Sequence, residues 1–203
     1  MNELRDSKGL TEAEFLACYN PNKYPKPSLT ADILVFSRSE NGKMKLLMIK
    51  RRGHPFIGQL ALPGGFANKN EELYDTALRE LFEETNVKNL SLSSLGTFSR
   101  PNRDPRDWVV SEAFVCVCSD RELLVQAGDD AAEADWYNVE LDRAKDLARL
   151  RIFTDSEGFE AALEIEEYSD LFGRQFKVKQ LSHQGIAFDH SEIIALALLK
   201  LSQ

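Results

Sequence analysis

Residues 64–87 read GGFANKNEELYDTALRELFEETNV. Two glycines open the stretch, and glycine lets a backbone approach another group closely. From Leu73 onward, Leu73, Ala77, Leu78, Leu81 and Phe82 recur at helical spacing, which predicts a helix over 72–85 with one apolar face. Glu80, Glu83 and Glu84 fall at i, i+3 and i+4 on that helix, so their carboxylates project together, opposite the apolar stripe. Like charges at this spacing disfavour a helix by roughly a few tenths of a kcal/mol per pair. A hard divalent cation such as Mg²⁺ reverses that effect, because it prefers carboxylate oxygen and keeps several waters. An acidic solvated face is the bland reading of such a helix, and the glycine turn at fixed spacing argues against it. Arg79 is spaced to tie Glu71, in the loop, to the helix.

On the N-terminal side, LTADILVFS (29–37) reads as a buried strand and KLLMIKR (45–51) as its return, with Asn41-Gly42 marking a turn between them. Arg51 and Arg52 end that second strand, and strand alternation turns one toward the glycine turn and the other away. Residues 1–27 read as an extension with a short helix. Thr11 and Glu14 resemble a capping box, and Pro21, Pro25 and Pro27 enforce an extended lead-in. On the C-terminal side, strands are expected near 93–99, 108–118 and 134–139. LDRAKDLARL (141–150) reads as a short helix, FEAALEIEE with GRQFKVKQL as a hairpin, and a final helix starts after Asp189. Residues 28–203 would then form one α/β domain, a mixed sheet packed between helices, including this C-terminal hairpin and helix.

The chain has 203 residues, 43% of them hydrophobic, and a formal net charge of -8. Its length suits one sizeable domain with a real core. The acidic balance argues against a nucleic-acid partner. No stretch approaches the ~20 apolar residues of a spanning helix, so no membrane role is expected. Three cysteines without metal-type spacing, and an N-terminus without an apolar signal core, point to a reduced, cytoplasmic setting. Cys116 and Cys118 are expected on one face of a strand as small core residues.

The spacing Gly65-x5-Glu71-x7-Arg79-Glu80-Leu81-x-Glu83-Glu84-x-Asn86-Val87 resembles the Nudix box, with Asn86 where that family has glycine. Asn is the next-best residue for a left-handed helix end. The resemblance implies an α/β/α sandwich around a mixed sheet and Mg²⁺-dependent hydrolysis of a nucleoside diphosphate derivative, with Mn²⁺ as a possible substitute. It implies Glu83 and Glu84 as metal ligands, and Glu80 as a further ligand or the group polarising the attacking water. The Gly64 carbonyl would join the coordination, with Glu71 and Arg79 as structural supports. The segments 54–58, 62–66, 102–106, 128–136 and 186–190 are similar to a subgroup acting on ADP-ribose. The expected reaction gives AMP and ribose 5-phosphate from ADP-ribose.

Around that centre, Arg52, Arg103 and Arg106 are candidates for holding phosphate or ribose. Phe66 and Trp108 are candidates for stacking on a base. Glu133 is the first candidate for a late loop carboxylate over the metals, and Asp130 the second. His54, His183 and His190 are given no ligand role. Two other functions compete. One is an ADP-ribose-sensing regulator of NAD metabolism; the other is hydrolysis of NADH, a nucleotide sugar or an oxidised nucleoside triphosphate. Family analogy also implies a homodimer.

Overall fold

The structure is a computed structural model that describes residues 3–39, 42–119 and 131–203. Its frame is β1 (Ser28–Arg38), a strand buried along nearly its whole length. Alternate residues of β1 serve two cores. Ala31, Ile33 and Val35 join one apolar cluster, and Leu34 and Phe36 join the other. β1 runs parallel to β6 (Val109–Ser119), from Ser28 opposite Val109 to Arg38 opposite Ser119. It pairs antiparallel with β2 (Met44–Arg51) and with β4 (Gly64–Phe66). A strand buried on both faces reads as a continuous apolar run, and β1 does.

The remaining strands extend the sheet at both sides. They are β3 (Leu60–Ala61), β5 (Ser93–Phe98), β7 (Ala131–Ala144), β8 (Leu147–Phe153), β9 (Gly158–Asp170) and β10 (Gly173–Gln184). The order is β10-β9-β8-β7-β2-β1-β6-β5, with β3 against β2 and β4 against β1. Helix α2 (Leu73–Thr85) covers one face through Ala77 and Leu81. Helix α3 (His190–Leu201) covers the other through Ile193, Ile194 and Ala197. The result is the expected α/β/α sandwich around a mixed sheet. No helix among the described residues is long and apolar enough to cross a membrane.

Local signals account for most boundaries. Helix α1 (Glu12–Cys18) starts at a capping box in which Thr11 and Glu14 satisfy each other's backbone N–H, and it buries none of its residues. Helix α2 ends at Asn86, whose φ of 59° is left-handed and whose N–H returns to the Phe82 carbonyl at 2.8 Å. One expectation fails: residues 141–150 form no helix. They are the end of β7, a turn with Lys145 at φ 57°, and the start of β8. The alternation of buried Ala148, Leu150 and Ile152 with outward Arg149 and Arg151 is a strand period, and it prevails over the helix-forming composition. Cys116 and Cys118 pack against the α2-side cluster, and burial pushes the Cys116 thiol up to about 12.

Candidate active site

Strand β4 brings the glycine turn against β1, with Gly64 opposite Asp32 and Gly65 opposite Ala31. Both glycines are there for space. A Cβ on Gly64 would run into the Ala31 carbonyl, and one on Gly65 would run into the Glu80 carboxylate. Behind the turn, the Gly64 N–H donates to Glu84 Oε2 at 2.8 Å, which draws the last turn of α2 onto the loop. The three helix acids therefore sit at graded depth. Glu84 is buried, Glu80 is largely covered and Glu83 is exposed.

Arg79 organises these acids. Its Nε and Nη2 donate to the two oxygens of Glu71 at 2.8 and 3.0 Å, and Nη2 also reaches the Phe66 carbonyl at 3.0 Å. Its Nη1 donates to Glu80 at 2.6 Å and to Glu83 at 3.1 Å. Glu71 also accepts from the Asn68 N–H and the Thr76 hydroxyl, both at 2.9 Å. Arg79, followed by the Asn68 N–H, holds the Glu71 carboxyl down at about 2. Glu80 moves the other way, because burial outweighs its contact with Arg79. Among the described residues no three His, Cys, Asp or Glu side chains are grouped to hold a metal ion. The Arg79 guanidinium bridges Glu80 and Glu83 as their counter-charge. The donor chemistry nonetheless suits a hard cation, since every candidate is a carboxylate or carbonyl oxygen. The bare Gly65 leaves the Glu80 head room beside the backbone.

A cavity opens over this turn with walls of opposite sign. Glu80 and Glu84 line it from α2, while Arg51 and Arg106 line it from β2 and from the loop after β5. Arg51 Nε donates to the Pro55 carbonyl at 2.7 Å, and its guanidinium lies 5.0 Å from the Phe188 ring centre. Arg106 is held by Asp104 through Nε at 3.0 Å and Nη2 at 2.6 Å. Burial and the neighbouring Arg106 both depress the Arg51 pKa, against the pull of Glu84 and Asp104. An arginine keeps its charge through such shifts, so two cations face one space.

The structure distributes the other sequence candidates unevenly. Arg51, and not Arg52, lines the cavity; Arg52 lies exposed just past the end of β2. The strand ends between the two, with a register shift at Lys50/Arg51, so the sequence could not tell which would face the turn. Arg103 borders the cavity but is buried, with Asp189 at 2.9 and 2.7 Å and Asp32 at 3.3 Å. Phe66 lines the cavity and is partly exposed, whereas Trp108 borders a separate shallow hollow with Pro101 and Pro105. Glu133 does not line the cavity. It lies opposite Lys50 in the β2–β7 pairing, and its carboxylate is 3.4 Å from the Lys50 ammonium, which also contacts Glu157. Asp130 lies outside the described residues.

Three contributors escaped the sequence reading. Asp32 hides in the apolar run of β1 and accepts from the Ser111 hydroxyl at 2.6 Å. His190 is buried; its Nδ1 accepts from the Leu62 N–H at 2.9 Å, and Nε2 lies 3.6 Å from Asp32. Because Nδ1 accepts, the ring carries its proton on Nε2; burial lowers its pKa in the same sense. Phe188 has a φ of 53°, uncommon for a bulky residue, and its ring lines the cavity. The only sequence signal for it was its place in the segment 186–190.

The family model for the NUDIX domain matches residues 27–155. The chain belongs to the Nudix family. It is 43% identical over 95 residues to an ADP-ribose pyrophosphatase of Methanocaldococcus jannaschii, covering 47% of this chain and 55% of that protein. It is 30% identical over 140 residues to an ADPR-responsive transcriptional repressor, NtrR, of Acinetobacter baylyi, covering 68% and 55%. The chain thus spans about half the length of these curated relatives. Among solved structures, a MutT/nudix family protein from Enterococcus faecalis aligns with a TM-score of 0.73 at 35% identity, over 95% of this chain and 70% of that one. The NUDIX domain of Shewanella oneidensis NrtR, complexed with ADP ribose, aligns with a TM-score of 0.67 at 27% identity, over 95% of this chain and 99% of that one.

Proposed function

We propose that this Nudix chain hydrolyses the diphosphate bond of a nucleoside diphosphate derivative in the presence of Mg²⁺, with ADP-ribose as substrate and AMP and ribose 5-phosphate as products. The observation that carries this reading is the two-signed cavity: Glu80 and Glu84 beside a glycine turn on one side, Arg51 and Arg106 on the other. A diphosphate with its cation would complement both walls at once. Glu80, Glu83, Glu84 and the Gly64 carbonyl would hold Mg²⁺, or Mn²⁺ in its place. When bound, the ion supplies neutralisation of the phosphate oxygens and acidification of water.

The chain's own residues supply the rest. Arg51 and Arg106 bind and orient the phosphates, an interaction in which arginine forks fit oxygen pairs. Glu80, largely covered beside the glycine turn, would complete the ligand set or polarise the attacking water. Arg79 and Glu71 fix the loop on which that geometry depends. Glu133, bonded to Lys50, is given no step.

A second reading, an ADP-ribose sensor, is favoured by the likeness to the ADPR-responsive repressor. Incubating the protein with a panel of nucleotide diphosphate derivatives and Mg²⁺, then identifying products by mass, separates the two. Hydrolysis that stops with EDTA and falls at least ~100-fold in Glu84→Gln supports the enzyme, a loss of the size seen when an electrostatic stabiliser is removed. Tight ADP-ribose binding with no turnover of any compound would leave the sensor.

A further inference from the structure

Arg106 lies against two aromatic rings. Its guanidinium carbon is 4.8 Å from the centre of Phe66 and 5.4 Å from the centre of Phe188. Both rings line the cavity, and Phe66 is 42% exposed, so neither is simply core. Phe188 is aimed there at a local cost. Its left-handed backbone, φ 53°, is braced by Phe56, itself at φ 64°, whose ring meets Phe188 edge-on at 4.7 Å. Residues held in such conformations concentrate at ligand sites. A guanidinium is flat, charged and able to stack on an aromatic face. A nucleobase is flat and stacks on the same faces. The protein has therefore placed its own planar group where a planar ligand would fit.

The rest of the environment makes that group displaceable. Arg106 is a surface residue, with its side chain 39% exposed. Its one carboxylate partner, Asp104, is almost fully buried and keeps a second bond, from the Arg106 backbone N–H at 2.8 Å, when the side chain leaves. The neighbouring Arg51 cation lies over the same Phe188 ring and repels Arg106. An entering anion would relieve that repulsion by drawing both guanidinium groups toward itself.

We propose that Phe66 and Phe188 form the nucleobase subsite, and that Arg106 fills it in the free protein and swings to the diphosphate when substrate enters. The ligand class is a nucleoside whose aromatic base is joined to a phosphate chain. The phosphate half of this proposal rests on the hydrolase reading; the stacking half does not.

The two halves predict effects of opposite sign. In metal-free buffer, calorimetry would measure adenosine, which has no phosphate, and ADP-ribose against wild type, Arg106→Ala and Phe66→Leu. Removing the arginine frees the rings, so Arg106→Ala binds adenosine about two- to fivefold tighter, the equivalent of one exposed cation–π contact. The same variant binds ADP-ribose more weakly, because a phosphate contact is gone. Phe66→Leu, at an exposed position that folding tolerates, weakens adenosine by at least ~5-fold, as loss of one stacking face requires. The proposal is overturned if Arg106→Ala binds adenosine no more tightly than wild type, including no binding at all, or if Phe66→Leu leaves adenosine affinity unchanged. Failure of the hydrolase reading is seen separately, as absence of turnover, and leaves the adenosine result readable.

Discussion

Arg103 and Asp189 meet as two forks in a closed interior: Nε to Oδ2 at 2.9 Å and Nη2 to Oδ1 at 2.7 Å, with 5% and 3% of their side chains exposed. An arginine in the loop after β5 is thereby fastened to the N-terminal end of α3. Asp32 adds a third contact from β1 at 3.3 Å. The pairing joins three distant segments at the back of the cavity.

Arg103→Ala should accordingly act on stability. It leaves Asp189 and Asp32 as buried carboxylates without their counter-charge, and breaking such a pair costs about 3–5 kcal/mol. Urea unfolding would read this as a lowered midpoint. An unchanged midpoint with a selective rise in KM would instead make Arg103 a substrate ligand.

Arg51 and Arg52 should separate cleanly in kinetics. A hydrogen bond to a charged partner contributes about 1.5–3 kcal/mol, so Arg51→Ala should raise the KM for ADP-ribose roughly ten- to hundredfold. Arg52→Ala should change it less than about twofold, in line with its exposed position outside the cavity wall. Steady-state rates of both variants decide the matter, and equal effects would contradict the assigned orientation.

Gly65→Ala should lose activity with little loss of stability. The added Cβ meets only the far end of the Glu80 side chain, which can move aside, whereas at Gly64 it would meet backbone. A displacement of about 1 Å at a reacting centre costs about a hundredfold in rate. Turnover and thermal melting measured side by side test this; a large drop in melting temperature would show that the site cannot accommodate the methyl group.

Asn86 offers a test of backbone conformation alone. At φ 59° a glycine is free of strain, so Asn86→Gly should be neutral or slightly stabilising. Asn86→Ala should be destabilising, by about 1 kcal/mol, because a Cβ without a helping amide is disfavoured there. Chemical denaturation of the two variants would show opposite trends, and parallel losses would refute the cap.

Acid should weaken the fold through Glu71 and Glu167. Both carboxyls are held at about 2, Glu71 chiefly by Arg79 and Glu167 by Arg174 and Arg143. As pH falls, the unfolded chain takes up these protons first, near the ordinary glutamate value of 4.5. The stabilisation is therefore complete above that value and is lost as pH falls toward about 2. Glu71→Gln should flatten the dependence of the urea midpoint on pH in that window, and an unaltered slope would mean that the contact with Arg79 does not persist in solution.

The sequence made the central layer readable because periodicity and burial coincide there. The apolar run 29–37 is β1, and the helical spacing from Leu73 to Phe82 is α2. It misled at 141–150, where residues with good helix propensity obey a strand's alternation. At the site, local spacing showed the acids of α2 and the arginine next to them. What it could not show was partnership across the chain. Asp32 looks like a blemish in an apolar strand until Arg103, Ser111 and His190 arrive from three other elements. Arg51 and Arg52 are equivalent on paper and differ only by which side of a strand end each takes.

Because successive residues of β1 feed opposite layers, the strand has no slack. Deleting or inserting one residue between Thr30 and Phe36 would turn Asp32 into the α2-side cluster and Ile33 toward His190, undoing both layers in a single step. Length variation among descendants of this chain should therefore collect at places such as the hairpin tip at 170–173, where Leu171 and Phe172 are fully in solvent, while β1 drifts by substitution alone.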